Sequence, residues 1–214
     1  MNRPLRILVC AFGPFPGVPV NPSELLAGDL LRLRRPALSG IEIVREVLPT
    51  RWDALAHLDA RLEALDPDAV LLLGVAARRR SVSIERLAAN AARAAPDAAR
   101  RHPPSRRLSA GGPPFLRSGV PAEPLANALR RAGIAAGPSR DAGRYLCNAS
   151  YFHALGWSAN TSGRRRPVLF VHLPRRDGRP AGVSRARMGR GLAHILIALA
   201  AEARRGAYAF KSMG

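Results

Sequence analysis

Apolar positions along the chain follow two rhythms. Short, mostly apolar runs at Leu5–Cys10, Val70–Gly74 and Val168–His172 have the length and the flanking turn residues of buried strands, and Ile41–Leu48 reads as a further strand. Between them, apolar residues recur at helical spacing. Asn21-Pro22-Ser23-Glu24 reads as a helix start, with proline in the first turn and a carboxylate facing the helix dipole. Leu25, Leu26, Leu30, Leu31 and Leu33 then supply its buried face. Trp52, Leu55, Leu58, Leu62 and Leu65 mark a second helix, Pro124–Ala132 a third that stops at Gly133, Cys147–Leu155 a fourth and Ser184–Arg204 a fifth. The third strand is apolar throughout, as the centre of a parallel sheet requires. This alternation predicts an α/β fold, one domain over 1–214 with a largely parallel twisted sheet and helices on both faces. Ala94–Ala122 breaks the rhythm. It is rich in Pro, Gly, Arg and Ser, shows no period, and reads as an irregular insert or a loop over the active-site face.

Composition narrows the function. The chain has 214 residues, 47% of them hydrophobic, and a net charge of +19. Such a charge favours phosphate polymers or anionic membranes. Yet Lys211 is the single lysine, the arginines are scattered, and aromatics are not interleaved with them. No stacking platform for single strands results, which argues against nucleic-acid binding as the main activity. No apolar run is long enough to span a bilayer, and no secretory signal pattern is visible. Cys10 and Cys147, far apart in sequence, form no disulfide framework. A reducing, cytoplasmic location is the simplest expectation.

The chemistry-bearing motifs are few. Dinucleotide and P-loop glycine patterns are absent, as is Gly-x-Ser-x-Gly, and His57, His102, His153, His172 and His194 show no zinc spacing. A Cys, His and Glu set remains. Cys147 follows Gly143 at a helix start, where the dipole and free N–H groups favour a thiolate and could bind an oxyanion. It could equally be a small buried hydrophobe. His172 ends an apolar strand, where open α/β sheets bind ligands, and is a base or a structural histidine. His153, six residues beyond Cys147, is rotated away from the thiol's face of that helix. Glu85 could orient the imidazole, or be solvated and paired with Arg86 or Arg79.

Four segments together resemble the pyroglutamyl peptidase I family, the C15 cysteine peptidases. Phe12-Gly13-Pro14-Phe15-Pro16-Gly17 with Asn21-Pro22-Ser23 is similar to that family's Gly-Phe-Asp/Gly-Pro-Phe-Gly-Gly and Asn-Pro-Ser. Glu85-Arg86-Leu87-Ala88-Ala89-Asn90 resembles the segment that carries its glutamate. Ala142-Gly143-Arg144-Tyr145-Leu146-Cys147-Asn148 resembles its nucleophile segment, and Phe170-Val171-His172-Leu173-Pro174 its histidine segment. The order and spacing match almost end to end. The resemblance implies a phosphorylase/hydrolase-like fold and a cofactor-free, metal-free enzyme. The enzyme would remove an N-terminal pyroglutamyl residue through an acyl-enzyme intermediate, with Cys147, His172 and Glu85 catalytic. It further implies a ring slot formed by Phe12 and Phe15, for which core packing is the alternative, with Val75 at the ring site and Arg93 near the oxyanion. A homo-oligomer, dimer or tetramer, is implied as well.

The departures from the family pattern concern specificity. Where the family reads Gly-Gln-Ala-Gly-Gly-Arg, this chain reads Gly74-Val75-Ala76-Ala77-Arg78-Arg79. Val75 cannot donate the glutamine's hydrogen bonds, and Ala77 and Arg78 are less free than glycine to adopt positive φ. Arg144 replaces a threonine, and Arg175–Pro180 is more basic than usual. An altered N-terminal-cap specificity, or a basic binding protein that keeps the fold, are the competing expectations.

Overall fold

The computed structural model describes residues 3–15, 17–160, 166–174 and 183–211, the last five as backbone only. The elements run β1 Leu5–Phe12, α1 Pro22–Leu31, a 3₁₀ turn at Pro36–Leu38, β2 Ile41–Leu48, α2 Ala54–Leu65 and β3 Ala69–Ala76. They continue with β4 Val82–Glu85, β5 Leu87–Ala89, β6 Phe115–Arg117, α3 Ala122–Arg131, β7 Ala136–Ser139, α4 Leu146–Asn160, β8 Val168–Pro174 and α5 Arg185–Lys211. Six strands form the main sheet in the order β2-β1-β3-β8-β4-β7. β2, β1, β3 and β8 are parallel to one another. β4 runs antiparallel to β8, and β7 follows β4 in parallel, so these two strands oppose the other four.

Strand alternation sends side chains to two apolar layers. Ile7, Val9, Leu71, Leu73, Leu169 and Val171 pack under α1, α3 and α5. Leu8, Cys10, Phe12, Val70, Leu72 and Phe170 pack under α2 and α4. The expected sheet with helices on both faces is what forms.

The start of α1 is stitched to the end of β1. Asn21 caps the helix by accepting the Ser23 N–H at 3.1 Å, with Pro22 in the first turn. Its side-chain amide donates to the Gly13 carbonyl at 3.0 Å, while the Ser23 hydroxyl accepts the Phe12 N–H at 3.2 Å. The Asn-Pro-Ser run therefore fixes where β1 ends, and Phe12 with it.

The insert is ordered, and its boundaries differ from the expected Ala94–Ala122. Phe115–Arg117 pairs antiparallel with Leu87–Ala89, and α3 begins at Ala122. The Asn90 amide holds the excursion by donating to the Ser109 carbonyl and accepting the Ser109 N–H, both at 2.8 Å. Asp97 holds its other end. Buried, it accepts backbone N–H groups from Trp52 (2.9 Å), Ala99 (2.8 Å) and Arg101 (2.9 Å). Burial works to raise the Asp97 pKa, but these bonds outweigh it and hold the carboxyl below its usual range. Asp97→Ala is expected to lower stability by about 2–3 kcal/mol at neutral pH in urea titration. Because the folded pKa is depressed, this contribution is present above the ordinary carboxyl range and is lost as pH falls through the folded value.

Candidate active site

α4 begins at Leu146, and Cys147 lies in its first turn. The first helical bond beyond the turn runs from Ala149 N to Tyr145 O at 2.9 Å, so the earlier N–H groups lack an acceptor within the helix. Gly143, at φ 81°, makes the turn that aims the chain into α4. Asn148, next to the cysteine, locks the helix start to β5. Its amide accepts the Ala89 N–H at 2.8 Å and donates to the carbonyls of Ala89 (2.8 Å) and Ala91 (3.0 Å).

The thiol reaches the sheet over Gly74. A Cβ placed on Gly74 would lie 2.9 Å from Cys147 Sγ and 2.7 Å from Phe170 Cζ. Gly74 is the register partner of His172 across β3 and β8, so thiol and imidazole share one face of the sheet. β8 extends two residues past the expected His172 terminus, to Pro174. His172 is buried, with its ring centroid 4.6 Å from that of Phe170.

Glu85 ends β4. In the antiparallel register Ser83 faces His172 and Glu85 faces Phe170, so the carboxylate meets the imidazole on a diagonal. His172 Nδ1 and Glu85 Oε1 are 2.7 Å apart. Glu85 Oε1 also accepts from Arg79, and the carboxylate is fully buried. The expected alternative of a solvated glutamate is thus excluded, whereas the Arg79 pairing is present. With Glu85 Oε1 as the acceptor, Nδ1 carries the hydrogen and Nε2 is left with a free lone pair. His153 sits elsewhere, on Asp59 at 2.8 Å.

Electrostatics reverse one expectation. Burial, followed by the Glu85 charge, pushes the Cys147 thiol up to about 12, against smaller lowering effects from its own N–H and from Arg79. Burial likewise pushes the His172 pKa below the usual imidazole range, outweighing Glu85. The helix start does not yield a resting thiolate, because desolvation of the charged form is the larger effect. Thiol and imidazole both rest neutral at pH 7. Cys147 as a residue is only half-buried, so ligand can approach it.

The expected ring-slot residues are distributed unequally. Phe12 is buried, its ring 6.4 Å from Phe170 on the thiol's face of the sheet. Phe15 is half-buried in a tight turn closed by the Phe15 N–H on Val18 O (3.2 Å) and the Val18 N–H on Phe15 O (2.8 Å). Val75 pairs with Leu173, and alternation turns its side chain to the face opposite Gly74 and Cys147. The structure does not bring that side chain to the thiol. Ala77 and Arg78 carry no left-handed backbone, which among described non-glycine residues is confined to Asp66 and Arg100. Arg93 is exposed, and its N–H donates to Arg144 O at 2.6 Å. The Arg144 guanidinium pairs with Asp141 at 3.1 Å. The basic run Arg175–Pro180 lies outside the described residues. Sequence reasoning missed Phe170 and Tyr151, and gave Arg79 no role beyond a surface ion pair. Phe170 was detectable as the residue two before His172 on the same strand face, and Tyr151, four after Cys147, donates to Glu85 O at 2.8 Å.

Among the described residues no three His, Cys, Asp or Glu side chains gather as metal ligands would, and no helix is long and apolar enough to cross a membrane.

The profile of the family described as pyroglutamyl peptidase matches residues 5–182. The chain belongs to the pyroglutamyl peptidase family. It is a cysteine peptidase of that family. Similar curated proteins include pyrrolidone-carboxylate peptidase 1 of Ralstonia nicotianae, 36% identical over 179 residues, covering 82% of this chain and 81% of that protein. The pyrrolidone-carboxylate peptidase of Thermococcus kodakarensis is 31% identical over 172 residues, covering 79% and 81%. Among solved structures, pyroglutamyl peptidase I of Bacillus amyloliquefaciens superposes with a TM-score of 0.80 at 27% identity, over 92% of this chain and 97% of that one. A variant pyrrolidone carboxyl peptidase of Pyrococcus furiosus gives 0.78 at 28% identity over the same shares. The peptidase fold is thus shared almost in full.

Proposed function

We propose that this peptidase removes an N-terminal pyroglutamyl residue from peptides, with Cys147 as nucleophile, His172 as base and then acid, and Glu85 as the group that orients the imidazole. The observation that carries the reading is the seating of Cys147 Sγ over Gly74 beside His172, whose Nδ1 is held by the buried Glu85. His172 Nε2 takes the thiol proton as sulfur bonds to the pyroglutamyl carbonyl. The Cys147 N–H receives the developing oxyanion. The imidazolium then protonates the departing amine as the C–N bond breaks, and water, deprotonated by the same imidazole, releases pyroglutamate and the thiol. No cofactor enters these steps.

The lactam is small, flat and uncharged and suits an aromatic slot, to which we assign Phe12 and Phe15; the Phe12 ring lies on the thiol's face of the sheet. Val75 brings no polar side chain to the site, and the exposed Arg93 is tied by its backbone N–H to the loop that leads to Cys147. Peptides with a pyroglutamyl N-terminus are the substrate. A cytoplasmic location fits two cysteines that are both unpaired. A homo-oligomer fits the exposed Val20, Leu25 and Leu31 on and before α1.

The direct test measures release of fluorophore from pyroglutamyl, prolyl and N-acetylalanyl amides. Turnover of the pyroglutamyl amide alone is expected. Equal or faster turnover of either of the other two would overturn the substrate assignment.

The pH dependence follows from the neutral pair. Nε2 can accept a proton only while His172 is neutral, and its pKa is depressed. The rising limb of kcat/KM is therefore expected below about pH 6.5, the ordinary imidazole value, with activity level through neutrality. A rising limb in the usual thiol range, near 8.5, would indicate rate-limiting thiolate formation in bulk solution and contradict the neutral-pair mechanism.

A further inference from the structure

Glu85 has more to satisfy than His172 can supply. Its side chain is fully buried, and a carboxylate in that setting needs partners in place of the water it has lost. Oε1 takes the His172 Nδ1 hydrogen at 2.7 Å, which is a single bond from a neutral ring. Oε2 is buried without a partner among the described residues. The balancing charge comes from Arg79, whose Nη1 donates to the same Oε1.

Arg79 does more than neutralise. It sits in the turn after β3, where its N–H donates to Ala76 O at 3.0 Å. Its second guanidinium nitrogen, Nη2, donates to the backbone carbonyl of Asp141. Asp141 opens the loop that leads into α4, with its carboxylate accepting the Gly143 N–H at 2.9 Å. A single planar fork thus ties three segments together: the end of β3, which carries Gly74; the end of β4, which carries Glu85; and the loop that delivers Cys147.

We propose that Arg79 is a positioning residue of this peptidase, clamping Glu85 against His172 and against the loop that presents Cys147. The inference rests on the reading of Cys147, His172 and Glu85 as the reacting set. It differs from an ordinary ion pair in its reach, because the Arg79 charge bears on both reacting groups. The charged groups facing His172 are Glu85 from β4, Arg79 from the turn after β3, and Asp141 from the loop before α4. Those facing Cys147 are Glu85 and Arg79. In both cases Arg79 opposes Glu85: it disfavours the imidazolium and favours the thiolate. Without it, Glu85 would hold His172 protonated to higher pH and move the rising limb of activity upward.

Arg79→Gln and Arg79→Lys test this. Arg79→Gln is expected to lower kcat roughly 10- to 100-fold, the range seen when a partner behind a reacting group is lost, with KM little changed. Its rising pH limb should move upward by about half a unit or more. Arg79→Lys should restore the limb to its original position but only part of kcat, because one ammonium cannot span both Glu85 Oε1 and the Asp141 carbonyl. The alkylation rate of Cys147 by iodoacetamide against pH should show the same limbs with no substrate present. That readout separates the two readings: a wild-type protein inactive on pyroglutamyl amides would sink the proposed substrate yet leave the Arg79 effect measurable. A purely structural salt bridge predicts lost activity with an unmoved limb, and that result would overturn the proposal, as would wild-type kcat in Arg79→Gln. If Arg79→Gln does not fold, as judged by circular dichroism, Arg79→Lys decides alone. A lowered kcat at wild-type stability in urea supports the clamp, whereas a kcat loss matched by lost stability, or an unchanged kcat, refutes it.

Discussion

Cys147→Ala is expected to slow hydrolysis of a pyroglutamyl amide by about 10⁴-fold or more, the scale reached when a nucleophile is removed from a cooperating set. The protein should still fold, because Cys147 is half-buried and alanine is well tolerated at helix positions. No other thiol can substitute. Cys10 lies inside β1 with no exposed surface, and burial pushes its pKa well above the usual thiol range. The hydroxyl most nearly placed to compete is Ser83, which is buried and faces His172 in the β4–β8 register. Progress curves at high enzyme concentration would read the residual rate. A rate within about tenfold of wild type would move the nucleophile away from Cys147, and Cys147→Ala combined with Ser83→Ala would show whether Ser83 had taken its place.

Gly74→Ala should also cost activity heavily, for a steric reason. The added methyl would lie 2.9 Å from the sulfur and 2.7 Å from Phe170 Cζ, both inside normal contact distance. Either the ring or the thiol must move, and each belongs to the reacting geometry. Misplacement by about 1 Å is enough for a loss of roughly 100-fold in kcat/KM. Overpacking of the layer under α4 should also lower stability by about 1–3 kcal/mol. Two comparisons isolate the cause. Gly137→Ala, in β7, would meet nothing within 4 Å and should change neither quantity. Gly74→Ala with Phe170→Leu relieves the ring contact but not the sulfur contact, so stability should recover and activity should not. If activity recovered as well, displacement of the ring rather than of the thiol would be the damaging event.

The parts of this fold legible in sequence were those with long apolar signals. β1, β3 and β8 are largely apolar runs, β2 interleaves Glu42, Arg45 and Glu46 with Ile, Val and Leu, and the described helices repeat leucine or alanine at helical spacing. β4, β5, β6 and β7 have only three or four residues each, and all but β5 carry a polar residue or a proline: Ser83 and Glu85, Arg117, and Pro138. Neither length nor period marks them, and pairing alone makes them strands. The reversal of β4 is a tertiary property, and it decides how Glu85 meets His172 and Arg79. The residue types of the candidate set were therefore readable from their motifs, while the reach of Arg79 across three segments was not. The expectation of a thiolate failed for a related reason. A helix start can be read from Gly143 and the segment after it, but the burial that outweighs its dipole depends on how the rest of the chain stacks around the sulfur. Val75 is attached to the site by the family's glutamine at that position, but the two-residue period of a strand sends its side chain to the side opposite Gly74.

The position of β8 in the sheet has a consequence for how this protein is made. β8 lies between β3 and β4, yet it follows both much later in the chain, with His172 separated from Glu85 by 87 residues. While the chain emerges from the ribosome, β3 is an apolar strand with one edge unpaired and no partner yet synthesised. The hydrolase is consequently mute throughout translation, since no N-terminal portion ending before Val168 can assemble imidazole, carboxylate and thiol together. Such late, long-range closure is slow and leaves a sticky edge open to other chains. Yield in cells should therefore depend more on chaperone capacity during synthesis than on the stability of the finished enzyme.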